Sequence, residues 1–137
     1  MKVFLDTNVF LYAFLNQDVT KKTIAVNLIA QSVNRHNGYV SLQIVKEFCN
    51  IMVKKSGKPA AEIGKAVAIF GMMQMVPGSL QLVRKALALR ETYGLQFYDA
   101  LLLASAEQSE CTVLYTEDLN DGQMYCGITA VNPFKGC

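Results

Sequence analysis

The sequence predicts a three-layer α/β protein built on a mostly parallel sheet. Two observations predict it. Short apolar strands alternate with helical stretches along the chain, and the clearest strands, Val3–Leu5 and 112–115, read as continuous β-favouring runs of the kind a sheet covered on both faces requires.

The elements follow in order. Val3-Phe4-Leu5 is a short buried strand that stops on Asp6-Thr7-Asn8, after which apolar residues resume in a helix over 9–15. In the stretch 20–35, Ile24, Ala25, Leu28, Ile29 and Val33 keep helical spacing, and His36-Asn37-Gly38 is a stop signal. Tyr39-Val40 is a strand, and Ser41 is placed to cap the helix LQIVKEFCNIMVKK. In that helix Val45, Phe48, Cys49, Met52 and Val53 form an apolar stripe. Ser56-Gly57-Lys58-Pro59 breaks it, and a further helix is expected over 60–72. Gln74-Met75-Val76 is a weak strand stopped by Pro77-Gly78. Residues 79–93 are helical, with Gly94 ending the helix. The stretch 98–107 is a helix with little polar face, expected to be buried on several sides. Strands follow over 112–115 and 128–131.

The 137 residues are expected to form a single domain, residues 1–137. At 52% hydrophobic and 18% charged, the chain has ample core material and no signature of disorder. A net charge of +2 does not by itself announce a nucleic-acid binder. Cys49, Cys111, Cys126 and Cys137 form no C-x-x-C pair, and His36 is far from all of them in sequence, so zinc-ligand spacing is missing. Cys49 and Cys111 read as small core residues, and no disulfide framework is expected. No signal peptide is visible and no apolar run approaches membrane-spanning length, so the expected location is cytoplasmic, with no membrane partner.

The acids carry the functional signal. In parallel α/β folds, ligands bind beyond the carboxyl ends of the strands, where Asp6 stands. Helix capping explains one polar residue there, but not Asp6, Thr7 and Asn8 together between two apolar runs. Asp99 opens the most apolar helix; a carboxylate is favoured near a helix N-terminus, yet no capping box accompanies it. Glu117, Asp118 and Asp121 crowd one loop after a strand, and Thr116 echoes Thr7 as a hydroxyl beside a carboxylate. Glu47 lies roughly opposite the Val45/Phe48/Met52 stripe at 100° per residue, which fits a solvated side chain, although it falls early in the helix that follows the second strand. Taking Asp6, Glu47, Asp99, Glu117, Asp118 and Asp121 as one cluster leaves 5 of the 11 acids against 13 bases, or about +8 elsewhere. Lys46, Lys54, Lys55, Lys58 and Lys65 concentrate part of that charge. Several carboxylates sharing a small cavity must bind protons or a cation. Oxygen-only ligands select Mg²⁺ or Mn²⁺, and such an ion serves phosphodiester hydrolysis.

Four segments, FLDTNVFLYAF, VSLQIVKEFCNIMVKK, GLQFYDALLLASA and LYTEDLNDGQ, taken in this order and spacing, make the chain resemble the PIN-domain ribonucleases, and among them the VapC-type toxins of bacterial toxin–antitoxin pairs. The resemblance covers nearly the whole chain. It implies an α/β/α sandwich and Mg²⁺-dependent endoribonuclease activity, with Mn²⁺ as a substitute. It places Asp6, Glu47, Asp99 and Asp118 at the family's acidic metal-site positions, with Thr7, Asn8 and Thr116 as supporting polar residues. Asp121 is an extra ligand candidate, and either Asp118 or Asp121 makes the fourth contact. The resemblance further implies an RNA substrate, an antitoxin partner that inserts into the active-site groove, and a homodimer; Met72, Met73 and Met75 could line an interface, although core packing is the favoured role for them.

Other readings are weaker. A haloacid-dehalogenase-like phosphatase needs a second Asp where Asn8 stands, and a receiver domain needs an Asp at the end of its third strand, where Met75-Val76-Pro77 offers none. A non-catalytic PIN-like binding module is disfavoured because all four acidic positions are filled. A housekeeping RNA-processing nuclease without an antitoxin stays open beside the toxin reading.

Overall fold

In the computed structural model, which describes residues 1–137, β1 (Val3–Leu5) is buried along its whole length. It is flanked in parallel by β2 (Gly38–Ser41) and β4 (Val113–Tyr115), with Phe4 opposite Tyr39 on one side and Leu114 on the other. A strand with neighbours on both edges and helices on both faces has no solvated side, which is why it reads as three apolar residues in a row. β3 (Gln74–Val76) adds outside β2, and β6 (Ile128–Val131) outside β4, both parallel. The sheet order is β3-β2-β1-β4-β6-β5.

β5 (Met124–Tyr125) is the one strand absent from the sequence reading. It pairs antiparallel with β6 through a two-residue turn, Cys126-Gly127, whose φ angles are +44° and +83°. Such turns need positive φ at both central positions, and Cys gives no warning of it.

The helices are α1 (Thr7–Phe14), α2 (Val19–Asn34), α3 (Leu42–Lys55), α4 (Ala60–Val67), α5 (Leu80–Tyr93) and α6 (Phe97–Gln108). The helix expected over 60–72 is two pieces, since α4 tightens into a 3₁₀ turn at Ala68–Met72. That turn sets Phe70 in the core against Phe10 and Phe48, at ring-centroid distances of 4.6 and 5.3 Å. The chain steps outward from β1 through β2 to β3, then returns across the sheet through α5 and α6 to β4. Right-handed crossovers put α1–α4 on one face and the α5–α6 pair on the other, which makes the three-layer α/β/α sandwich. One core of 33 buried apolar residues joins the layers.

Two glycines serve this core. Gly38 opens β2 so close to α2 that a Cβ there would lie 2.7 Å from Ser32 Cβ and 2.6 Å from Met73 Cε. Gly94 closes α5 in the left-handed region, at φ +66°. Met73 is buried, whereas Met72 and Met75 are exposed. No helix is long and apolar enough to cross a membrane.

α3 is rotated relative to its expected stripe. Ile44, Phe48 and Met52 are buried, Ile51 is half-buried, and Val53 is 68% exposed. Cys49 is half-buried rather than core. The buried face is turned by about 80° at 100° per residue, which moves Glu47 from the far side of the helix to the border of the buried face.

Candidate active site

β1 has its neighbours on opposite sides: the chain proceeds from β1 to β2 in one direction, and β4 lies on the other. The crevice beyond the carboxyl ends of the strands at this reversal is where parallel α/β sheets hold ligands. Here the crevice is a cavity of about 180 Å³ lined by Asp6, Glu47, Asp99 and Asp118 together with Ser41, Gln43, Tyr98 and Ser105. Four chain segments supply the four acids: the end of β1, the second turn of α3, the first turn of α6, and the loop after β4. No Lys, Arg or His lines this cavity.

Asp6 both caps and faces the crevice. It precedes α1 in extended conformation and its Oδ1 accepts a hydrogen bond from the Thr7 amide at 2.6 Å. Its Oδ2 accepts from Thr116 Oγ1 at 2.7 Å. Register puts Thr116 there, because Leu5 pairs with Tyr115 across β1 and β4. The Thr116 hydroxyl in turn accepts from the Asp118 amide at 3.1 Å. This one buried hydroxyl therefore ties Asp6 to the loop that carries Asp118. Burial is the main reason the Asp6 carboxyl is pushed up to about 7; the charges of Asp118 and Glu47 add to the rise, and the two hydrogen bonds oppose it. Asp99 is raised too, first by burial and then by Asp118 and Glu47. Asp99 stands in the first turn of α6, whose N-cap, Gln96, makes no capping hydrogen bond with its side chain.

Glu47 is held by two donors. Thr7 Oγ1 donates to its Oε2 at 2.8 Å, and Gln43 Nε2 donates to its Oε1 at 3.0 Å. Gln43 is a residue the sequence reading missed; its signal was the four-residue spacing to Glu47 on one helix face. Thr7→Val keeps the buried shape and removes the Thr7–Glu47 bond. Because hydrogen bonds to charged groups contribute about 1.5–3 kcal/mol, the expected result in a thermal melt is a Tm lowered by about 5 °C or more. An unchanged Tm would show that Glu47 needs no such support.

Three other polar residues stand elsewhere. Asn8 is half-buried on α1 and does not line the cavity. Asp121 accepts from the Asn132 amide at 2.8 Å and pairs with Lys135 at 3.2 Å, which together hold its carboxyl below the ordinary range. Glu117 turns away to Tyr12, whose hydroxyl donates to it at 2.7 Å, and to Lys21 at 3.6 Å. The cluster of six acids thus divides. The ion pairs of the protein use Glu62, Glu91, Glu107, Glu117 and Asp121, and none uses Asp6, Glu47, Asp99 or Asp118. Setting those four aside leaves 7 acids against 13 bases, or +6 over the rest of the chain.

Four unpaired carboxylates with no nitrogen or sulfur donor among them suit a hard divalent cation. No three of them form a ready-made cage.

A parallel α/β sandwich with an acid-lined crevice at its switch point defines the class. The sequence matches the PIN domain family over residues 3–120, and the chain belongs to that family. No curated protein matches it in sequence. Among solved structures it is similar to Mycobacterium tuberculosis VapC20, described as a sarcin-ricin loop cleaving toxin, with 16% identity, a TM-score of 0.71, and coverage of 93% of this chain and 99% of that one. It is similar to a chain of a toxin–antitoxin complex from Klebsiella pneumoniae, at 22% identity and a TM-score of 0.69, covering 98% of both. It also resembles a chain of VapBC2 from Rickettsia felis, solved bound to a promoter DNA fragment, at 16% identity and a TM-score of 0.69, covering 95% of this chain and 97% of that one.

Proposed function

We propose that this protein is a Mg²⁺-dependent endoribonuclease acting as the toxin of a VapBC-type pair in the cytoplasm. The observation that carries the nuclease reading is the convergence of the acids: Asp6, Glu47, Asp99 and Asp118 come from four chain segments to line one crevice, and none of them has a cationic partner. Membership of the PIN family supports the reading, and the toxin–antitoxin origin of the similar structures supports an antitoxin partner. Exposed Met72 and Met75 are compatible with a homodimer surface.

In this reading Asp6, Asp99 and Asp118 hold the ion, directly or through water. A bound Mg²⁺ supplies charge stabilisation at the scissile phosphate and acidifies water. Thr116 aims the Asp6 carboxylate and anchors the Asp118 amide. Glu47, steadied by Thr7 and Gln43, is placed to orient the attacking water and accept its proton. The positive remainder of the surface draws the RNA backbone towards the crevice.

The test is cleavage of a mixed structured RNA pool by wild type and Asp99→Asn, each with Mg²⁺ and with EDTA. Cutting by wild type with Mg²⁺ alone, absent in the variant, is expected. Mg²⁺ is also expected to raise the Tm of wild type more than that of the variant. A protein that neither cuts RNA nor gains Tm with Mg²⁺ or Mn²⁺ would be a binding module.

A further inference from the structure

A second cavity of about 180 Å³ adjoins the acid crevice and shares Ser41, Gln43, Leu101 and Ser105 with it. Its remaining walls come from β3's exit, Val76-Pro77-Gly78-Ser79, from Leu82 and Val83 on α5, and from Leu42 and Lys46 on α3. Of its lining residues, the proposed chemistry uses only Gln43. Its composition is nevertheless specific. Leu82, Val83, Val76 and Leu101 supply aliphatic walls, and a few polar groups converge between them. The Ser41 hydroxyl accepts from the Ile44 amide at 3.3 Å, and the Ser79 hydroxyl accepts from the Leu82 amide at 3.1 Å. As cap acceptors, both keep an O–H proton to donate. Gln43 spends its amide N–H on Glu47, which leaves its carbonyl oxygen as an acceptor beside them. Lys46 contributes a cation at an exposed position.

Apolar walls, hydroxyl donors, an amide acceptor and a nearby cation are the requirements of one unstacked nucleotide: a base held by its faces and edge, with its phosphate near an ammonium. We propose that this cavity is the subsite for the nucleotide flanking the scissile phosphate, and that Ser41, Gln43, Ser79 and Val83 select its base. The assignment rests on the nuclease reading for its place in catalysis, but the pocket's affinity for a nucleotide does not depend on cleavage. Continuity decides the occupant. The cavity shares four residues with the acid crevice, so a strand with one phosphate among the acids lays an adjoining nucleotide here.

Val83 is 37% exposed on α5, so Val83→Trp fills the cavity without disturbing the core. The first measurement is an NMR titration of ¹⁵N-labelled protein in EDTA with each of the four nucleoside 5′-monophosphates. Saturable amide shifts are expected at Ser41, Lys46, Ser79 and Val83, unequal among the four bases. Binding should be about tenfold weaker in Val83→Trp, the scale at which a hydrophobic pocket discriminates by shape. Absence of saturable shifts at these residues would overturn the proposal and leave the groove to a protein partner. The second measurement maps cut sites in the RNA pool. Val83→Trp should change the preferred base beside the cut, whereas identical relative cutting at every site would overturn the specificity role. If wild type cuts nothing, the nuclease reading fails, while the titration still decides whether the pocket takes a nucleotide.

Discussion

Asp6→Asn is expected to remove cleavage and strengthen the metal-free fold at the same time. Asp6 is 7% exposed and bonded to the Thr7 amide and the Thr116 hydroxyl, so Asn fits the same space and keeps an acceptor for the amide. Its loss as an anion weakens the hold on the divalent ion and should lower kcat/KM at least about a hundredfold, equivalent to about 2.7 kcal/mol of transition-state stabilisation. The stability effect has the opposite sign. The carboxyl of Asp6 is raised from 3.8 to about 7 in the folded chain, mainly by burial. Between those values the folded protein holds a proton that the unfolded chain has released. Wild type without metal therefore loses stability as pH rises from about 4 to 7, and the loss is complete above pH 7. A rise of about three pH units sets a ceiling near 4 kcal/mol. Asn ionises at no pH, so in EDTA the variant's Tm advantage should be small at pH 4 and greatest at pH 8. Mg²⁺ should then narrow the gap at pH 8 by stabilising wild type more than the variant. Thermal melts at pH 4, 6 and 8, with EDTA and with Mg²⁺, check each part. A variant no more stable than wild type at pH 8 in EDTA would mean that Asp6 is not the strained carboxylate of the site.

That strain also shows what was legible before the fold was known. Asp6 could be placed because a strand end followed by three polar residues is a local pattern, and β1 begins and ends where the pattern put it. Asp99 and Asp118 could be placed for similar reasons, as a first-turn acid and an acid in a loop after a strand. Glu47 could not be placed from helical geometry. Its orientation depends on which face of α3 is buried, and α3 is turned so that Ile44, rather than Val45, leads the buried face. A helix with apolar residues at Ile44, Val45, Phe48, Cys49, Ile51, Met52 and Val53 admits either phase, and contacts from distant parts of the chain choose between them. The division of Glu117 and Asp121 from Asp118 has the same character. Each is decided by a partner remote in sequence: Tyr12 and Lys21 for the first, Asn132 and Lys135 for the second.

The same tertiary choice makes Phe48 the side chain whose loss should cost most. It is fully buried on α3, next in sequence to Glu47, and its ring meets Phe14 and Phe70 edge-on at centroid distances of 5.7 and 5.3 Å. Those three rings join α1, α3 and the 3₁₀ turn, and Phe10 extends the cluster through Phe70 at 4.6 Å. Phe48→Ala removes both the buried area and the edge-to-face contacts, and rings held from three elements cannot all collapse into the space left. The expected cost is about 3–5 kcal/mol, a large fraction of the 5–15 kcal/mol typical of a domain. For a chain of this length that corresponds to a fall in Tm of about 10 °C or more. Phe48→Leu, which keeps most of the volume, should lose less than half as much. The Val53→Ala substitution is a direct control, because Val53 is 68% exposed and should change Tm by no more than about 2 °C. If Val53→Ala destabilised the protein as much as Phe48→Ala, the buried face of α3 would be the one centred on Val45, and Glu47 would point to solvent instead of into the acid crevice.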